Sequence, residues 1–426
     1  MTSSTSSSKP RRSPLERSFR RYAIGLAATL GTLMAIFGIV NTRVNPIGVT
    51  PTPWTDTAYR DYRPIYRAQR SAKPGLIRSE KWDAVFVGSS RVDYALDPSN
   101  PHWGDMRVAN LAFVAGTLPE SAPMLKYAAD HQNLKLAIAG IDLYDLSNDS
   151  SLIANSGFSE SPLNPEGDPI ERELRYIFGY TSVQSSYHAI LDRAHHTLVE
   201  YSANGFRLRP KIRGEQRKRM ETDSLPQAIR YIRQRQAVHK IFPAKLAALQ
   251  TIIDTAKSKG FRLILMIPPS NGIFQATYFY SNDPDPAFDM ERELIVKLAA
   301  EANAAHPGTP PVEVWDFYDF HPLNCESPAP LEDKETKMKY WLDGTHASKV
   351  LGDIMLARMM GWPVDDPLGA DYGMRLTPDN VGQRPEQIRA GYEKYRTEHP
   401  EDFKFMTEVA DKYRNSNTTA PAEAEE

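Results

Sequence analysis

The chain has 426 residues, 41% hydrophobic and 24% charged, a balance that excludes disorder as its main state. A single cysteine, Cys325, excludes an internal disulfide and a cysteine-built zinc or iron–sulfur site. The formal charge of −2 hides an uneven distribution: seven basic residues and one acid occur up to Arg43, and the remainder carries −8, which argues against generic nucleic-acid binding.

Residues 1–21 form a Ser/Thr-rich and then basic tail containing Lys9, Arg11, Arg12, Arg17, Arg20 and Arg21. From Tyr22 to Val40 the sequence YAIGLAATLGTLMAIFGIV is free of charge. As a helix it spans about 28 Å, close to the hydrocarbon thickness of a bilayer, which predicts a transmembrane anchor over 22–41. The run is long for a cleaved signal peptide, and no A-x-A-like site follows it. The basic tail places the N-terminus in the cytoplasm by the positive-inside rule, so the main domain is expected outside the cytoplasmic membrane.

Residues 42–80 are a Pro-punctuated juxtamembrane linker. Beyond it, short apolar runs predict strands at Ala84–Val87, Val108–Phe113, Leu136–Ile141, Leu263–Ile267 and Val312–Trp315. Their continuous apolar character implies a sheet buried on both faces. Helical patterns lie between them, as in Leu246, Leu249, Ile252, Ile253 and Ala256 after Pro243, with Gly260 as the stop. The alternation predicts an α/β fold with a doubly wound parallel sheet over 81–364, interrupted by a largely helical insertion or cap over 145–240. Residues 365–426 are expected to be an extension with a disordered acidic end.

In such folds ligands bind at the carboxyl ends of strands. Ser89 and Ser90, immediately after the first strand, both qualify as nucleophiles. Near the other end, Asp343-Gly344-Thr345-His346 offers a carboxylate and an imidazole three residues apart, able to face one serine as orienter and base. The segment Pro268-Pro269-Ser270-Asn271-Gly272 lies at the same sheet end, with Asn271 a candidate lining residue, and Asp316 is a candidate second acid. The adjacent His195 and His196 point in different directions on a helix and do not form a metal pair. No cofactor is implied. The stretch from Arg207 to Arg219, RLRPKIRGEQRKR, is either a solvated basic face or a contact for an anionic headgroup or glycan.

These motifs resemble the SGNH/GDSL hydrolase superfamily, in particular membrane-anchored bacterial members. The resemblance covers roughly residues 83 to 361. The block VFVGSSRV puts Ser90 at the nucleophile position, with Ser89 in place of the usual Asp. The block NLAFVAGT, Asn110 to Thr117, implies an oxyanion donor at the N–H of Gly116, or of Ala115 if the register slips by one, alongside the N–H of Ser90. Asp343 and His346 match the final block as orienter and general base. The third block departs from the pattern: Gly140-Ile141-Asp142 stands where the family has Gly-x-Asn, and a carboxylate cannot donate to an oxyanion. Arg91 and Asn110 are the nearest alternative donors, and Arg91 is equally suited to an ion pair with Asp142 or Asp93.

What the resemblance implies is a flavodoxin-like three-layer fold and an anchored serine esterase or O-acyltransferase. Its substrate would be an ester-bearing envelope glycan or lipid. The alternative is a catalytically weak or inactive relative serving as a glycan-binding or envelope-assembly module.

Overall fold

A computed structural model describes residues 13–143, 145–147, 152–153, 156–208, 216–235, 240–282, 286–333 and 335–415. The chain begins with a long helix, α1 (Pro14–Val44), started by a capping box in which Ser13 and Glu16 satisfy each other's backbone N–H groups. At 1.5 Å per residue it is about 46 Å long, and by length and composition it is apolar enough to cross a membrane. Helix α2 (Gln69–Ser79) then leads into the sheet.

The sheet grows by alternation of strand and helix. Strand β1 (Ala84–Val87) is followed by the short helix α3 (Ser90–Ala95), β2 (Val108–Asn110), α4 (Leu118–His131) and β3 (Leu136–Gly140). The insertion supplies α5 (Pro169–Phe178), α6 (Tyr180–His195), α7 (Gln216–Arg219), a π-helical turn at Met220–Ser224 and α8 (Leu225–Arg235). Next come α9 (Pro243–Lys259), β4 (Arg262–Ile267), α10 (Gly272–Asn282), α11 (Pro286–Ala305), β5 (Val312–Asp316) and α12 (Lys349–Met360). The chain finishes with β6 (Met374–Leu376), α13 (Arg384–Glu398) and α14 (Pro400–Asn415).

The strand order is β2-β1-β3-β4-β5-β6, parallel throughout except for β6, which runs antiparallel to β5. Strands β1 to β3 are buried along their whole length, which explains their apolar sequence. Their alternation feeds two cores. Val85, Val87, Ala137 and Ala139 face one shared with α4 and α9, whereas Ala84, Phe86, Leu136 and Ile138 face another shared with α10 and α12.

Helix α9 starts at Pro243 and ends where Gly260 turns left-handed, as its pattern predicts. Strand β2 is shorter than predicted. Its ladder stops at Asn110, whose side chain leaves the strand register to bond the backbone of α3, although the N–H groups of Leu111 and Phe113 still donate to Phe86 and Gly88.

Residues beyond 364 are more than an extension. Strand β6 completes the sheet edge, and Arg384 on α13 is buried against Asp316 and Asp319. The acidic end expected to be disordered lies outside the described residues. Within the insertion, α5 and α6 pack on the C-terminal end of α1.

Candidate active site

Three chain segments meet at the carboxyl ends of β1, β3 and β4. The first is the turn after β1. Gly88 has φ 145°, and a Cβ there would come within 2.8 Å of Val92, so only glycine lets the chain fold back tightly enough to start α3. Ser89 is the N-cap of that helix, its hydroxyl accepting from the N–H of Arg91 at 3.3 Å. Ser89 is thereby committed to backbone and buried. Ser90, the first helical residue, projects its hydroxyl into the site, and at that position its N–H has no acceptor within the helix.

The second segment is the loop before α12. The Ser90 Oγ lies 2.9 Å from His346 Nε2, while His346 Nδ1 lies 2.8 and 3.0 Å from the Asp343 carboxylate oxygens. A carboxylate only accepts, so Nδ1 donates to Asp343, which leaves Nε2 as the nitrogen that can accept from the serine hydroxyl when the ring carries one proton. Asp343 is fixed in turn: its Oδ1 accepts from the N–H groups of Thr345 at 2.9 Å and His346 at 2.8 Å, and from the Thr345 hydroxyl at 3.1 Å. Asp343 is buried, whereas His346 is only part-buried. The arrangement therefore has its orienting end inside and its reacting end near the surface.

Arg91 and Asp142 form the third element. Arg91 is buried, its Nη1 donating to the Ser270 hydroxyl at 2.8 Å. Its Nε stands 3.3 Å from Asp142 Oδ1, close enough for charge pairing but off the line of a hydrogen bond. The charge of Asp142 is thus held against a permanent cation at the end of β3.

Other sequence candidates fall elsewhere. Asn110 is fully buried, its amide donating at 3.0 Å to the carbonyls of Val92 and Leu96 and its oxygen accepting from Ala112, so it braces α3 and does not face the serine. Asn271 is likewise buried, donating to the Glu326 carbonyl and accepting from Ile273. Its backbone N–H donates to Gly344 at 3.0 Å, which supports the Asp343–His346 loop from behind. The Gly116 N–H is already used, donating to Phe113 at 3.1 Å in a turn where Ala115 takes φ 51°. Asp316 is not a second acid of the site. It is fully buried between Arg292 and Arg384, each at 3.0 Å. Of the basic stretch, Arg207 pairs with Glu200 and stacks 4.5 Å from the Tyr94 ring centre, and residues 209–215 lie outside the described residues.

Several contributors escaped sequence reasoning. Tyr94 packs edge-on against the His346 ring, centroids 4.9 Å apart. It stands four residues after Ser90, the spacing that brings side chains to one helix face, so this signal was present in the sequence. The Ser224 hydroxyl, from the π-helical turn of the insertion, accepts from the Gly344 N–H at 3.2 Å. Beneath α3, Lys73 is fully buried and donates to Asp93 at 2.8 Å and to the carbonyls of Asn110 and Gly205, while Tyr201 donates to the other Asp93 oxygen at 2.6 Å. Burial pulls the Lys73 pKa down against the opposing pull of Asp93, and burial with the same carboxylate pushes Tyr201 well above the ordinary phenol range.

No protein-family description matches this chain, and no curated protein matches it. The chemistry open to the site therefore follows from its geometry. A serine hydroxyl, an imidazole nitrogen within hydrogen-bond reach of it and a buried carboxylate on the far ring nitrogen form a proton-relay arrangement suited to nucleophilic attack.

Proposed function

We propose that this chain is a membrane-anchored serine esterase or O-acyltransferase of the SGNH/GDSL type. It would act outside the bacterial cytoplasmic membrane on ester-linked acyl groups of an envelope glycan or lipid. The observation that carries the reading is the 2.9 Å contact between Ser90 Oγ and His346 Nε2, with Asp343 on the opposite nitrogen. The order β2-β1-β3-β4-β5 of the parallel strands supports a flavodoxin-like doubly wound arrangement, in which the serine belongs at a strand end. The uncharged run of α1 and the basic residues that precede that run support an N-terminus inside and the site outside.

His346 Nε2 takes the proton as Ser90 Oγ bonds to the ester carbonyl carbon, giving a tetrahedral oxyanion. Collapse breaks the ester C–O bond, and the imidazolium returns the proton to the leaving alcohol. Water or a sugar hydroxyl then attacks the acyl carbon as His346 takes its proton, and collapse of this second tetrahedral species breaks the bond to Ser90 Oγ, which regains the proton from the imidazolium. The Ser90 N–H is the oxyanion donor that the helix start supports. Asp142, paired with Arg91, contributes none.

That shortage favours a second reading, a weakly active or inactive relative that binds envelope glycan. Turnover of an acetylated oligosaccharide by the detergent-solubilised full-length protein, with and without a sugar acceptor, separates the readings. Acid release without acceptor marks an esterase, and ester transfer marks an acyltransferase. Neither product, with saccharide binding retained, supports the binding module and contradicts the proposal.

A further inference from the structure

The outer end of α1 does not stand clear of the rest of the protein. Phe178 and Ile177, at the end of α5, lie against Gly38, where a Cβ would come within 2.8 Å of the Phe178 ring. Asn41 donates to the Ile177 carbonyl at 2.8 Å, and the Ser186 hydroxyl on α6 donates to Asn41 Oδ1 at 2.7 Å. Gly38 is two residues inside the uncharged run that ends at Val40. The Phe178 end of α5 thus sits about 3 Å within the apolar segment.

Around this clasp the surface is apolar. Ile170 (72% exposed), Leu174 (50%) and Phe178 (36%) follow at four-residue steps and share one face of α5. On α6, Tyr180 (79%), Tyr187 (59%) and Ile190 (38%) are exposed at helical spacing. Three of the four charged residues of α5 are paired, Arg175 with Glu171 and Glu160, and Glu173 with Arg78. Large exposed apolar side chains clustered in this way mark an interaction surface. Their continuity with the exposed apolar face of α1 fixes the occupant, and tyrosines at such a boundary match the preference of that side chain for the headgroup level.

We propose that α5 and α6 lie in the outer headgroup boundary of the bilayer that α1 crosses, their apolar faces against the acyl chains. The domain is then seated on the membrane in one orientation, with Ser90 at a fixed height above it. The inference rests on α1 being a membrane anchor.

The test uses the full-length protein in vesicles of phosphatidylethanolamine and phosphatidylglycerol, with single nitroxide labels at Leu174→Cys, Tyr187→Cys, Leu30→Cys on α1 and Val350→Cys on α12. Cys325 is buried, and burial raises its thiol pKa, so the introduced cysteines label selectively. Labels at 174 and 187 are expected to give oxygen-to-nickel accessibility ratios several-fold above that at 350 and approaching that at 30. A ratio at 174 and 187 equal to that at 350, with 30 lipid-exposed, overturns the seating while the anchor stands. Spin–spin broadening at 174 or 187 assigns the face to a second copy and also overturns it. A water-exposed label at 30 removes the anchor, and the inference with it.

Discussion

Gly352 on α12 faces the carbonyl oxygen of Ala95, the last residue of α3, so closely that a Cβ would stand 1.7 Å from it. This contact locks the helix that begins with Ser90 to the helix that follows His346. Gly352→Ala must therefore separate the two. We expect a loss of about 2 kcal/mol in stability by urea unfolding, and a fall in turnover measured where the variant remains fully folded. Unchanged stability and turnover would show that the two helices are not rigidly joined.

Tyr94 acts on the imidazole by packing. Tyr94→Phe retains the ring against His346 and should keep most of the activity. Tyr94→Ala releases the imidazole and should lower kcat by up to about 10²-fold, with KM less affected, as expected for a misplaced base. Equal effects of the two substitutions would point to the hydroxyl instead of the ring.

Arg91 and Asp142 are held as a pair at the end of β3. Arg91→Met leaves a largely buried carboxylate without its cation and should destabilise the fold by about 3 kcal/mol in thermal or urea unfolding. Asp142→Asn introduces an amide that can donate, and a gain in kcat would show that a shortage of oxyanion donors limits turnover. No gain would assign Asp142 to holding Arg91.

Asp316 supplies a pH-dependent link between β5 and α13. Burial alone would raise its carboxyl, but Arg292 and Arg384 outweigh burial and hold its pKa below the ordinary 3.8. The unfolded chain therefore takes up this proton at higher pH than the native one. Its stabilisation is complete above 3.8 and is lost as pH falls through the folded value. Asp316→Asn should be less stable at neutral pH, and its urea midpoint should drop less than wild type between about pH 5 and pH 3. Parallel curves would contradict this assignment.

The three residues that meet at the candidate site are more legible in the sequence than the contacts that support them. Ser90 could be found because a continuous apolar strand ends at a Gly-Ser-Ser turn, and Asp343 with His346 because their spacing lies within one loop. Asn110 and Asn271 are legible only as lining candidates, because sequence gives position along a strand end and says nothing of which way an amide turns. Both serve the backbone of neighbouring segments. Strand β6 is not legible because its apolar-polar-apolar alternation, Met374-Arg375-Leu376, spans only three residues, too few to set a period. The grip of α5 and α6 on α1 depends on contacts such as Asn41 to Ile177, 136 residues apart, which local periodicity cannot encode.

The central claim is that Ser90 is a nucleophile activated by His346. Labelling of the full-length, detergent-solubilised protein with a fluorophosphonate, followed by mass spectrometry of the modified peptide, tests it most directly. We expect one adduct on Ser90, absent in Ser90→Ala and reduced by about 10⁴-fold or more in rate in His346→Ala. Labelling of wild type no faster than Ser90→Ala, in protein whose thermal unfolding shows it to be folded, would contradict the account.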